Sequence, residues 1–459
     1  MSPKIRMSWA AQNIAPSRDR RGQPLLRRGF IWVAVYLVLL VLPLVVAAVG
    51  ERPPARAFWV EFSVALGFVG LAMMVLQFVV SARIRTFTAP FGIDVVLQYH
   101  RQIGLVAIVF VLVHPLILAA ERSWSLLNPL EAGWPQAAGM LAIAGLLVQA
   151  GVTLWRAQLR IPYGYWHLSH AAIAVAILAF SYAHIVLAGP YLDTTWKAWL
   201  WAAMAGAVIV LVIYARVIKP VRMLRYPYRV AAVHEERGKS WTLELEPEGH
   251  ERLHFRPGQF AWLTLGRNPF LSEEHPFSLA SPPRDESGTL HFTIKEAGDF
   301  TTRVKDTPVG TRAYIDGPYG AFTFERFPAP GYVFLAGGIG ITPIMSMLRS
   351  LAADGDQRPL LLFNANPTWE DVTYREEFDE LQQQLNLQVV HVLEKPPEDW
   401  QGESGFVNAD ILDRHLPGNR QVYQYFICGP PPMLEAVREG LLDLGIPLSQ
   451  IQIEEFVLA

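Results

Sequence analysis

The sequence predicts a multidomain chain: an all-α bundle of six membrane-spanning helices, then a small antiparallel β-barrel, then an α/β domain. Three observations carry this. Residues 30–218 are mostly apolar, whereas 219–459 read as an ordinary soluble sequence. Short alternating strands broken by Pro and Gly follow residue 221, and a wholly apolar strand, a glycine-rich turn and a helix-like run follow residue 331. The expected boundaries are a tail at 1–28, the bundle at 29–220, the barrel at 221–326 and the α/β domain at 327–459.

Composition agrees. At 459 residues the chain exceeds one ordinary core. Hydrophobic residues make up 52% and charged ones 17%, below the usual quarter. A net charge of −2 gives no support to nucleic-acid binding, and a single cysteine, Cys428, excludes an internal disulfide or a cysteine-built metal site.

A spanning helix needs about 20 mainly apolar residues. Six segments qualify, at 30–49, 57–80, 95–119, 135–155, 164–188 and 197–218. The first lacks a clean cleavage signal and reads as a retained span. Arginine and lysine set the orientation. Arg18, Arg20, Arg21, Arg27 and Arg28 precede span one, Arg83 and Arg85 follow span two, and Arg156 and Arg160 follow span four. Arg216, Lys219, Arg222 and Arg225 mark the exit, whereas Glu51, Glu121, Glu131 and Asp193 lie on the other connections. Both termini and the soluble half are therefore expected in the cytosol.

Histidine inside an apolar span is costly and usually functional. Span three carries His100 and His114, and span five carries His170 and His184, each pair 14 residues apart. Fourteen steps of about 100° return within roughly 40° of whole turns, so each pair shares a face, separated by about 21 Å along the axis. Spans three and five run parallel, so His100 can face His170 and His114 can face His184. Two stacked bis-histidine haems fit this; polar glue between helices or a proton relay explains one histidine but not two equal spacings. His167 is the rival inner residue, but its 17-residue distance from His184 breaks the match.

In the barrel, Trp241–Leu245, Ala261–Leu265 and Leu290–Ile294 alternate as strands do. In His275-Pro276-Phe277-Ser278 an aromatic ring can lie against a flavin and the serine hydroxyl can reach its N5. Ile294-Lys295 and Gly298-Asp299-Phe300-Thr301 supply a cation, a glycine turn and a hydroxyl suited to a pyrophosphate. Further on, strand 332–336 leads into Gly337-Gly338-Ile339-Gly340-Ile341-Thr342-Pro343. There the glycines admit a phosphate, Thr342 is the expected N-cap and Pro343 the expected first helical residue. A strand at 422–427 ends in Cys428-Gly429-Pro430, at the edge where parallel sheets bind ligands.

The stretches Tyr99-His100-Arg101 to His114-Pro115 and Tyr165-Trp166 to His184 resemble the ferric reductase and NADPH oxidase superfamily, in a bacterial member. The order His275–Ser278, Ile294-Lys295, Gly298–Thr301, Gly317–Gly320 is similar to the FAD domain of ferredoxin–NADP reductase-like proteins, and His275 in first place points to their membrane branch. The resemblance implies FAD, two b-type haems on His100/His170 and His114/His184, and NADPH (or NADH) as donor in a Rossmann-like domain. By the same resemblance His275 sits near the FAD phosphates, Cys428 lies beside the nicotinamide and Phe456 covers the flavin. The implied place is a bacterial inner membrane. The implied acceptor is extracytoplasmic: O2, giving superoxide, or a ferric or cupric chelate, or a periplasmic protein partner. Leu118 stands where the oxidases carry a histidine, and Arg52 or Arg56 stands near their oxygen-side arginine. Glu51, Glu61, Glu121 and Glu131 could draw cations but read first as solvated loop residues. Asn364-Ala365-Asn366, where many relatives carry an arginine for a 2′-phosphate, and nearby Arg375 leave NADPH resting on family habit.

Overall fold

The computed structural model describes residues 23–49, 56–88, 91–189, 191–192, 194–266, 268–270, 273–284 and 288–455. Phe456, Arg52, Glu51, Asp193 and the tail arginines 18, 20 and 21 lie outside them.

Two compact units emerge. The first, residues 26–222 with 270–273, is all-helical. Its long helices are α1 (Gln23–Ala48), α2 (Phe58–Ser81), α3 (Ile93–Glu121), α4 (Trp134–Leu154), α5 (Tyr163–Ala188) and α6 (Thr195–Ile213). All six are long and apolar enough to cross a membrane. Local chemistry sets their ends. Pro135 sits in the first turn of α4, where a missing N–H costs nothing. Gly189 closes α5 at φ +78°, a left-handed backbone that glycine adopts without a side-chain clash. The last helix departs from expectation. Instead of ending near 218 it continues through a widened turn at Tyr214–Ile218 into Lys219–Arg225. Lysine, arginine, methionine and leucine are good helix formers, so the helix outruns its apolar stretch.

Within this bundle α3 lies along α2 and α5 lies along α4. Helices α3 and α5 are not packed backbone against backbone. Side chains meet between them instead.

The second unit, residues 223–269 and 274–459, holds two sheets. Strands β1 (Tyr228–Glu236), β2 (Ser240–Pro247), β3 (Phe260–Leu265), β4 (His275–Ser278), β5 (Leu290–Lys295) and β6 (Arg312–Tyr319) form an antiparallel sheet in the order β4-β3-β6-β1-β2-β5. Alternate residues point inward: Val230, Leu243, Leu245, Ala261, Leu263, Leu290 and Phe292 make one buried cluster. The sheet curls until its edges touch at a single bridge, Leu279 with Phe292, where the Ala280 N–H donates to His291 O at 2.8 Å. The expected barrel is thus a half-barrel held shut at one seam.

The second sheet is parallel, with β7 (Tyr332–Gly337), β8 (Leu360–Asn366), β9 (Leu387–Leu393), β10 (Glu403–Ser404), β11 (Gln424–Cys428) and β12 (Ile451–Glu454) in the order β10-β9-β8-β7-β11-β12. Every residue of β7 is buried. Tyr332, Phe334 and Ala336 enter one apolar cluster with helix α7 (Ile341–Ala353). Val333 and Leu335 enter the opposite cluster with α8 (Ala409–His415) and α9 (Pro431–Asp443). A strand covered on both faces has no polar face to show, which explains its unbroken apolar run.

Arg349 of α7 ties the two sheets together. It donates to Ala280 O at 2.7 Å, makes two bonds to Glu377 at 2.6 and 2.7 Å, and stacks over Tyr374. Ser346 donates to Ser281 O at 2.8 Å beside it. Tyr374, fully enclosed, is pushed up to about 12 by burial and stays a phenol. The Arg349–Glu377 pair is half-buried, so removing a partner costs more than the roughly 0–1 kcal/mol of an exposed pair and less than the roughly 3–5 kcal/mol of a fully buried one. Arg349→Met is therefore expected to destabilise the second unit by more than about 1 kcal/mol, the value of an exposed pair, in thermal or denaturant unfolding of the full-length protein followed by tryptophan fluorescence; a smaller loss would contradict it.

Candidate functional site

The helical unit brings the four predicted histidines together as two facing pairs. His100 of α3 and His170 of α5 have ring centroids 6.3 Å apart at an interplanar angle of 59°. His114 and His184 have centroids 6.4 Å apart at 69°. Two metal–nitrogen bonds of about 2 Å and roughly 1.1 Å from each nitrogen to its ring centre would set the centroids about 6 Å apart. The spacing fits an iron between each pair.

The pair of His114 and His184 shows how its rings are oriented. His114 Nδ1 lies 2.8 Å from Ser63 O in α2, and the Ser63 hydroxyl donates to His114 O at 2.7 Å. His184 Nδ1 lies 2.7 Å from Pro135 O in α4. A carbonyl can only accept, so each Nδ1 carries the proton and each Nε2 lone pair is left for a metal. Space for the rings comes from glycine. A Cβ on Gly67 would stand 3.3 Å from the His114 ring, and one on Gly139 would stand 3.0 Å from His184. In both cases the glycine follows the accepting carbonyl by four residues, one turn along the same helix. Ser63, Gly67, Pro135 and Gly139 are absent from the sequence-based set of site residues. The two glycines share a spacing with their acceptors, which is the one signal that could have found them.

In the antiparallel sheet, His275, Phe300 and Phe277 form a stack. His275 and Phe300 have centroids 3.9 Å apart at 26°, and Phe277 lies 6.0 Å from Phe300 at 19°. Pro276 and Phe277 pair with Trp262 and Ala261 of β3, and Ser278 at the strand end is buried. Thr301 Oγ1 accepts from the N–H groups of Ala297 and Gly298, both at 2.8 Å, so its hydroxyl holds the glycine turn in shape. Ile294 is buried in β5, and Lys295 emerges at the end of that strand.

The Lys295 ammonium is the nearest neighbour of a Cβ built on Gly338, at 3.9 Å, which brings the flavin-type and nucleotide-type motifs to one place. Gly338 has φ +53°, a conformation that favours glycine. Gly337 and Gly340 serve close packing. A Cβ on Gly337 would lie 2.5 Å from Met433 Sδ and 2.8 Å from Pro430 Cδ, and one on Gly340 would overlap the Cys428 carbonyl. Gly429 in turn lies against the Gly337 backbone. The ends of β7 and β11 thus fit into each other, with room for no side chain.

Two local expectations are corrected. The helix begins at Ile341 with Gly340 as N-cap, so Thr342 is not the cap and Pro343 is not its first residue. The Thr342 hydroxyl donates back to Ile339 O at 2.9 Å, tightening the turn that precedes the helix. A short 3-10 turn over Gly338–Gly340 starts the coil early and moves the boundary. Arg375 is engaged, stacked over Trp369 with its guanidinium carbon 4.8 Å from the ring centroid and paired with Glu376 at 3.3 Å.

Cys428 ends β11 and is fully buried. Burial pushes its thiol well above the ordinary value, and the Glu454 carboxylate adds to the rise.

With this geometry in view, comparison with known proteins places each part. Residues 66–181 match the model of the ferric reductase like transmembrane component, 229–323 that of an FAD-binding domain, and 334–439 that of an oxidoreductase NAD-binding domain. That order is a membrane component followed by an FAD-binding and then an oxidoreductase NAD-binding domain. The chain belongs to the ferric reductase/NADPH oxidase superfamily, whose architecture these three parts make up. It is 32% identical to NADH-cytochrome b5 reductase 1 of Debaryomyces hansenii over 182 residues, 38% of this chain and 64% of that protein. The corresponding protein of Scheffersomyces stipitis is 30% identical over 222 residues, 46% of this chain and 77% of that one. The chain spans about three fifths of the length of the first curated relatives it matches, 64%, 59% and 60%. Among solved structures, the ferredoxin reductase in carbazole 1,9a-dioxygenase is 26% identical with a TM-score of 0.45, covering 50% of this chain and 69% of that one.

A thiol whose folded pKa is raised stays protonated near neutrality, and the thiolate is the form that alkylates. Iodoacetamide at about pH 8 is expected to label Cys428 far more slowly in the folded protein than in denaturant. Equal rates by mass spectrometry would show the thiol to be accessible and ionised.

Proposed function

We propose that the chain carries electrons from a cytosolic nicotinamide cofactor, through FAD, to haems held by His100/His170 and His114/His184, and on to O2 beyond the membrane. The single observation that carries this is the pair of histidine couples at 6.3 and 6.4 Å, one above the other on α3 and α5. Bound flavin accepts a hydride's two electrons and releases them singly, and bound haem carries one at a time.

The chain's own residues do the rest. Ser63 and Pro135 fix the outer rings in the tautomer that offers Nε2. Lys295 sets a cation beside the Gly338 backbone, where a dinucleotide phosphate would need one. Buried Cys428 supplies a neutral, polarisable wall at the strand end where nicotinamide is read in such sheets. Phe277 and Ser278 are the residues this reading sets against the flavin ring.

For the donor we favour NADH over NADPH. A 2′-phosphate needs a free cation at the end of β8. Arg375 is committed to Trp369 and Glu376, and the strand ends in Asn364 and Asn366, bonded to each other at 3.0 Å. The first relatives are named as NADH enzymes, which supports the same choice.

For the acceptor, charge at the His114 side favours a small neutral molecule. Glu61, the carboxylate on α2 nearest Ser63, is bound by Arg56 at 2.7 Å and by the Tyr191 hydroxyl at 2.8 Å. That carboxylate is compensated and has little left to attract a metal cation. O2 needs no charged site.

Three measurements test this reading. His114→Leu should reduce the haem content from two to one per chain in a pyridine haemochrome assay, and retention of both would overturn the pairing. The kcat/KM ratio should favour NADH over NADPH by at least about tenfold, roughly 1.4 kcal/mol, and a preference for NADPH would reverse the donor assignment. In air, NADH oxidation should reduce cytochrome c in a dismutase-sensitive way. Turnover only with ferric chelate in the absence of oxygen would make the protein a metal reductase, and reducible haems without turnover in either assay would make it a relay to a protein partner.

A further inference from the structure

Helices α2 and α4 carry the same pattern. Ser63 and Pro135 are 72 residues apart, and so are Gly67 and Gly139, the residues that seat the outer histidines. Continuing both helices by 14 residues from Ser63 and Pro135 reaches Gln77 and Gln149. The histidines on the adjoining helices also step by 14, from His114 to His100 and from His184 to His170. Neighbouring helices rise equally, about 1.5 Å per residue. If Ser63 and Gly67 bracket His114, then residues 77–81 stand level with His100. By the same rule, residues 149–153 stand level with His170.

At the second position the contacts bear this out. Gln149 Nε2 lies 3.4 Å from His170 Nε2, and Thr153 Oγ1 lies 3.5 Å from His170 Nδ1. The first position holds two buried atoms that lack a hydrogen-bond partner among the described residues: His100 Nδ1 and Gln77 Oε1. They are a donor and an acceptor at one level on adjoining helices. The other end of the Gln77 amide donates to Met73 O at 3.4 Å, so the oxygen is the free end. Gln149 Oε1 is likewise buried and unmatched. An unmet buried polar atom costs about 1–3 kcal/mol, and His100 Nδ1 and Gln77 Oε1 are each other's chemical complement.

We propose that Gln77 is a positioning residue for the inner haem, its Oε1 accepting the Nδ1–H of His100. The outer ligands are held by helix carbonyls and this inner one by a side-chain amide. This rests on the two-haem reading above. An acceptor on Nδ1–H makes the imidazole a stronger donor, which favours the ferric state and lowers the potential of the iron it binds. Through Gln77 the chain therefore sets the inner haem's potential separately from the outer one's, without touching the metal.

Spectroelectrochemical titration of the full-length protein tests this, with haem content measured alongside. Gln77→Leu is expected to keep both haems and move one of the two reduction steps to higher potential. Gln77→Glu, which places a stronger acceptor on the same ring, should move that same step lower. The inference is overturned if both variants titrate like the wild type, or if the leucine and glutamate variants shift the step in the same direction. Should Gln77→Leu lose a haem, the direction of the Gln77→Glu shift decides. A wild-type protein without two b haems strikes down the proposed function; a wild-type protein with both, and unmoved Gln77 variants, strikes down this inference alone.

Discussion

A neutral imidazole whose Nδ1–H is tied to a helix carbonyl is the interaction on which the membrane half depends. His114 on Ser63 and His184 on Pro135 are each held this way, at 2.8 and 2.7 Å. The bond decides the tautomer, the tautomer decides which nitrogen faces the partner ring, and the facing nitrogens decide what can sit between them. The accepting carbonyls already belong to helices, so the ring must come in close to the backbone. Glycine one turn along leaves that room without crowding the ring, and Gly67 and Gly139 occupy those places. The pairing of α2 with α3 and of α4 with α5, and the side-chain slot between α3 and α5, follow from the same requirement.

The soluble half answers a different constraint. A parallel sheet that binds a dinucleotide must bring loops from neighbouring strands close together at one edge. Here β7 and β11 end in Gly337–Gly340 and Cys428–Pro430, which interlock so tightly that a single Cβ at Gly340 would meet the Cys428 carbonyl. Strand β7 is buried on both faces to hold that edge rigid. Arg349 then locks the antiparallel sheet to it, so Lys295 stays beside Gly338. The rigidity is distributed between packing and one charged crosslink.

Much of this was readable from residues. The spans announce themselves by length and hydropathy, and the histidine couples by two equal spacings on parallel helices. Strands 241–245, 261–265 and 290–294 lie within observed strands because a half-buried strand alternates. What stayed hidden has a common cause. Ser63 and Pro135 act through backbone carbonyls, and a carbonyl has no signature in a sequence. Arg349 and Glu377 are 28 positions apart and look like any surface charges until the sheets meet. The half-barrel seam at Leu279 and Phe292 is a single bridge with no pattern to read. Thr342 had the right chemistry for a cap, but the coil begins a turn earlier, at Gly338. Helix boundaries are the level at which propensity is weakest.

The central claim is that two irons, each between two neutral imidazoles, lie on one helix pair about 21 Å apart along the axis. Electron paramagnetic resonance of the oxidised, full-length wild-type protein, integrated against protein concentration, tests it most directly. Two low-spin ferric signals, together amounting to two spins per chain, are the predicted result. A high-spin signal from an iron missing one imidazole, or a low-spin total of one per chain, would contradict it.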